Sequence, residues 1–136
     1  QAIYVFGAVA PWDGRLVITI EPKANTEALT RFLAVTAAAF PTDRIIMVLD
    51  GAGWHIANAL AIPATIRLIT LPPYCPDLNP AEHVWAALRL RYFANRVFGT
   101  LGAVDSQLQT GTRELAENPQ GLTSMTCFPW IRLLDI

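Results

Sequence analysis

Two acidic residues stand where a carboxylate can do chemistry. Asp50 closes the apolar run Ile45-Ile46-Met47-Val48-Leu49, which reads as a strand buried on both faces in a parallel sheet. In open α/β sheets ligands bind outside the carboxyl ends of strands, and an oxygen ligand there suits a hard cation. The Asp50-Gly51 pair also reads as a plain turn that ends the strand. Glu82 lies in Asn79-Pro80-Ala81-Glu82. That pattern is a capping box, in which the glutamate bonds back to the helix start. It also heads a stripe, because Arg89 and Arg96 follow at steps of seven and share nearly its azimuth on a helix. A carboxylate and two arginines along one stripe suit a metal ion beside a phosphate backbone. A solvated helix face is the other reading.

Other side chains carry less. His55 and His83 are the only histidines, and without His-x-x-x-His or Cys-x-x-Cys spacing they make a poor zinc site. Cys75 has no base partner in its Pro-flanked loop, so it reads as a small packed residue rather than a nucleophile. Gly51 and Gly53 lack a third glycine, since Ile56 holds that position, and the loop is no dinucleotide fingerprint. Trp12, Trp54 and Tyr74 suit stacking on bases, and core or rim packing as well.

Placing these groups requires a definite order of elements. Residues 3–10 and 16–20 read as strands joined by the turn Pro11-Trp12-Asp13-Gly14, which makes a hairpin. Leu29, Phe32, Leu33, Thr36 and Phe40 recur with a helical period between a cap at Asn25 or Thr26 and a stop at Pro41. After the strand at 44–49, residues 55–60 read as a short helix and 66–71 as another strand. Strand, helix and strand imply a right-handed crossover with the two strands parallel. Pro72-Pro73-Tyr74-Cys75-Pro76 is a stiff loop. Asn79 then caps a long helix with Pro80 at its first position and Ala81, Val84, Trp85, Leu88 and Tyr92 on the buried stripe. A last helix at 103–117 buries Val104, Leu108, Gly111 and Leu115 and ends at Asn118-Pro119. The tail with Phe128, Trp130 and Ile131 is expected to pack back on the core. The fold class is α/β with a mixed sheet, an antiparallel hairpin plus parallel strands, flanked by helices.

Composition bounds the function classes. A chain of 136 residues suits a single domain over 1–136. Apolar residues make up 53% and charged ones 15%, which excludes a disordered protein. Mean hydropathy is +0.35, yet no apolar run reaches the roughly 18 residues that a membrane helix needs. Nine arginines and Lys23 face eleven acids for a net charge of −1. That disfavours a simple basic nucleic-acid binder, although arginine patches retain local force. Cys75 and Cys127 lie far apart with no secretory segment before them, as in a reduced, intracellular protein.

Two segments, Val48-Leu49-Asp50-Gly51-Ala52-Gly53-Trp54-His55 and Leu71-Pro72-Pro73-Tyr74-Cys75-Pro76-Asp77-Leu78-Asn79-Pro80-Ala81-Glu82-His83-Val84-Trp85, together resemble the DDE transposases of bacterial insertion sequences. The branch is the one related to the mariner superfamily. The resemblance covers about residues 4–96, and Cys75 stands where the family usually has Ser. It implies a ribonuclease H-like fold and a triad of carboxylates that binds two Mg2+ or Mn2+ ions. Asp50 matches the second carboxylate and Glu82 the third. The implied function is DNA transposition, a metal-dependent phosphoryl transfer that cleaves and joins DNA strands at transposon ends. Two metals about 3.5–4 Å apart activate the attacking oxygen and stabilise the leaving one, and no covalent nucleophile is needed. The implied partner is DNA, both transposon ends and target, contacted by Arg89, Arg91, Arg96 and His55. The implied location is the bacterial cytoplasm, at the nucleoid, with no membrane contact.

In this family the first carboxylate lies on a strand before the hairpin, central in the sheet, and Asp13 in the hairpin turn is no substitute. The chain, opening at Gln1 inside a strand, is therefore expected to be an amino-terminally truncated part of a longer transposase. The sheet would be interrupted, strand transfer deficient, and the end-reading helix-turn-helix module missing. An open strand slot would favour homodimers or strand swapping. Two alternatives stand beside this reading. One is an inactive remnant acting as a dimerisation or DNA-contacting module; the other is a nuclease that hydrolyses DNA without joining it.

Overall fold

The computed structural model describes residues 2–50, 60–72 and 78–132. The hairpin is as expected. Strands β1 (Tyr4–Ala10) and β2 (Arg15–Glu21) are neighbours in one two-stranded sheet. In the turn between them the Gly14 N–H donates to the Ala10 carbonyl at 2.8 Å. Gly14 sits at φ +70°, a conformation that favours glycine. Helix α1 (Thr26–Ala39) is capped by Asn25, whose Oδ1 accepts from the Ala28 N–H at 2.9 Å.

Strands β3 (Ile45–Leu49) and β4 (Ile66–Thr70) pair in parallel, with Ile45 opposite Ile66 and Leu49 opposite Thr70. The two strand pairs form separate two-stranded sheets. The α/β class and both pairings follow the sequence reading, whereas one continuous mixed sheet does not form among the described residues. The short helix expected at 55–60 lies, apart from Leu60, outside the described residues.

The chain forms two compact units. One comprises Ala2–Ala8 and Val17–Asn79, the other Val9–Leu16 and Pro80–Ile136. In the first, Leu29, Phe32 and Leu33 of α1 pack with Val17 and Ile66, and Phe6, Ile45, Met47 and Leu68 close around them. Alternation along β3 and β4 puts Ile46 and Ile69 on the opposite face, where they are 49% and 46% exposed. The apolar run thus overstates burial: α1 covers one face of the pair, so every second residue meets solvent.

The second unit is built on α2 (Ala81–Leu88), α3 (Leu101–Ala116), α4 (Pro119–Thr126) and α5 (Pro129–Arg132). Val84, Leu88, Leu115 and Leu122 form its core, joined by Val9, Leu16, Trp85, Tyr92 and Met125. Asn118-Pro119 does end α3, but it also starts α4. The Asn118 Oδ1 accepts from the Gly121 N–H at 3.1 Å and Pro119 sits in the first turn. The tail expected to pack back on the core carries α4 and α5 among its described residues, with Leu122 fully buried and Ile131 3% exposed.

The long helix beyond Asn79 needs a further correction. Pro80, not Asn79, is the N-cap of α2, with helical angles φ −60° and ψ −25° and no side-chain cap bond, so the helix opens one residue later than expected, at Ala81. The α-helix stops at Leu88 and continues as a π-helical turn over Arg89–Phe93. Ala94 is extended at ψ 133° and Asn95 has φ 60°. Arg96 is therefore outside the helix, and the Glu82–Arg89–Arg96 stripe does not exist.

Candidate functional site

Asp50 is placed by the parallel ladder. The Leu71 N–H donates to the Leu49 carbonyl at 2.7 Å, so pairing continues to the last residue of β3 and Asp50 is the first residue beyond it. The strand below is held because Ile45 and Met47 join the core. Asp50 is exposed, at the carboxyl end of a parallel pair, where α/β sheets place ligands.

Glu82 is exposed in the first turn of α2. Its backbone is held from two sides. Val84 is 1% exposed in the core. His83 is tied to the end of α4: its Nδ1 lies 2.9 Å from the Met125 carbonyl oxygen. A carbonyl only accepts, so that nitrogen carries the proton. The His83 ring also meets Phe128 edge-on, with centroids 4.8 Å apart and planes at 64°. From sequence His83 stands out only as a poor zinc ligand; its anchoring contacts reach residues distant in the chain and have no local signature.

Arg89, Arg91 and Arg96 are all exposed. The first two ride on the π turn and the third follows it. That turn is gripped at Tyr92 by three residues of α3. Gln107 Nε2 donates to the Tyr92 carbonyl at 2.8 Å. The Tyr92 hydroxyl donates to Glu114 Oε2. A Cβ on Gly111 would stand 2.9 Å from both Tyr92 and Leu88 side-chain carbons, so only glycine lets helix and turn approach. The hydrogen bond to Glu114, then burial, raises the Tyr92 hydroxyl pKa above its ordinary value. A glycine inside the apolar stripe of α3 was the available signal for this close approach.

His55, Cys75, Trp54 and Tyr74 lie outside the described residues. Among the described residues no three His, Cys, Asp or Glu side chains cluster as a metal site, and no helix is long and apolar enough to cross a membrane. Asp50 belongs to one compact unit and Glu82 to the other, each set in place by its own core.

A family model described as DDE superfamily endonuclease matches residues 1–105. The chain is 32% identical over 128 residues to the uncharacterized protein y4pE/y4sA of Sinorhizobium fredii, an alignment covering 93% of this chain and 95% of that protein. No solved structure matches it.

Proposed function

The chain belongs to the DDE superfamily of endonucleases, and we propose that it cleaves and joins DNA strands in the transposition of a bacterial insertion sequence of the mariner-related branch. An enzyme of nuclease or transposase type, with DNA as substrate, is what family membership implies. The observation that carries the finer reading is the placement of two acids inside the matched stretch. Asp50 directly follows a parallel ladder, and Glu82 opens a helix anchored in a core. A ribonuclease H-like arrangement is consistent with the parallel pair and hairpin.

Mg2+ and Mn2+ take oxygen ligands and keep several waters. Exposed carboxylates such as Asp50 and Glu82 are donors of that kind, so they are the residues that would hold the ions. When bound, such ions activate an attacking water or hydroxyl and neutralise the leaving oxygen. The chain's own residues do the rest. Arg89, Arg91, Arg96 and His55 take phosphates and hold the strand in register, because phosphoryl transfer is mainly positioning and charge neutralisation.

The test is Mn2+ binding followed by electron paramagnetic resonance on the 136-residue chain. Asp50→Asn and Glu82→Gln should each weaken binding by about tenfold or more, since even outer-shell losses cost that much. Unchanged affinity in both variants would overturn the reading in favour of an inert DNA-contacting module. Assays of strand joining beside nicking distinguish transposition from simple hydrolysis.

A further inference from the structure

From Val84 to Val104 the chain has no acidic residue and three arginines, Arg89, Arg91 and Arg96, although its net charge is −1. All three are exposed, and among the described residues none is paired with a carboxylate. The same short segment carries the two most exposed large apolar side chains of the described residues, Leu90 at 74% and Val97 at 100%. Beside Leu90 runs a shallow groove of about 470 Å³ lined by Ala86, Arg89, Leu90, Phe93 and Ala94. The segment is not loose: Leu88 and Tyr92 point inward, the latter held by Gln107, Gly111 and Glu114. Residues 89–91 are thereby turned to solvent.

Exposed guanidinium groups in a stretch without acids call for a polyanion. Aliphatic side chains among them gain only if the ligand also shows apolar faces. A duplex stacks its base faces inside, whereas an unpaired strand offers phosphates and base faces together. We propose that Arg89–Val97 is a landing segment for unpaired DNA, with the arginines on phosphates and Leu90, Val97 and the Arg89-lined groove against exposed bases. This rests on the reading of the chain as a DNA-processing enzyme and adds which form of DNA this surface takes.

Fluorescence anisotropy of the 136-residue chain with labelled oligothymidine, and with a duplex of equal length, tests it across a salt series. The double variant Leu90→Ser/Val97→Ser should lose about tenfold in affinity for oligothymidine, as expected when apolar area buried against base faces is removed. Its duplex affinity and salt slope should stay unchanged. Each Arg→Gln change should lower the logarithmic salt slope for oligothymidine by about 0.7. Equal loss on both DNAs, or no loss on either, overturns the proposal. So does a dimer that the serine variant converts to monomer, which would assign the surface to a second copy. Mn2+ binding is scored separately. If Mn2+ affinity ignores Asp50 and Glu82 while oligothymidine binding follows this pattern, the catalytic reading falls and the landing segment stands. If Mn2+ binding depends on both acids and the serine variant binds normally, only the landing segment falls.

Discussion

Tyr92 shows how much a single side chain decides. Its hydroxyl donates to Glu114, its carbonyl accepts from Gln107, and its ring lies against Gly111. The bond to Glu114 favours the neutral phenol and raises its pKa. A group whose pKa is raised on folding contributes stability below its unfolded value, and that contribution is lost as pH rises through the folded value. The bond should therefore hold at neutral pH and weaken only in alkali above about 10. An ultraviolet alkaline titration should show Tyr92 ionising later than an ordinary tyrosine, with Glu114→Gln restoring ordinary behaviour; coincident titration in both proteins would refute the bond. Gly111→Ala puts a methyl group 2.9 Å from Leu88 and Tyr92, so urea denaturation should register a loss of about 1–3 kcal/mol.

At the scale of elements, the hairpin turn and α4 depend on each other. Gly14 combines φ +70° with a position where a Cβ would lie 2.0 Å from the Pro119 carbonyl oxygen. Gly14→Ala should cost at least about 1–3 kcal/mol from backbone strain alone, with the collision added. Gly99→Ala, with nothing within 4 Å, is the control and should leave the urea midpoint nearly unchanged. Leu122→Ala, in the fully buried core of α4, should cost about 2–5 kcal/mol. Two elements escaped the sequence for physical reasons. The π turn preserves the spacing Val84, Leu88, Tyr92, so its apolar stripe looks like uninterrupted α-helix. Asn118-Pro119 stops one helix and starts the next with the same residues, because a cap and a breaker draw on the same chemistry.

Across the whole molecule the hairpin serves both cores. Phe6, Ala8 and Val17 pack in one, Val9 and Leu16 in the other. Each core can be probed by itself: Leu33→Ala, at a fully buried position of the first core, should cost about 2–5 kcal/mol in urea denaturation, and an unchanged midpoint would refute its burial. The hairpin, α1, the parallel pair ending at Asp50 and the helix opening near Glu82 were legible without any structure. Apolar period, turn residues and caps act between neighbours in the chain and leave their mark in its order. The solvent-facing side of β3 and β4, the grip of α3 on Tyr92 and the anchoring of His83 by Met125 emerged only from the folded form. Each depends on groups far apart in sequence meeting in space, and such meetings leave no periodic trace.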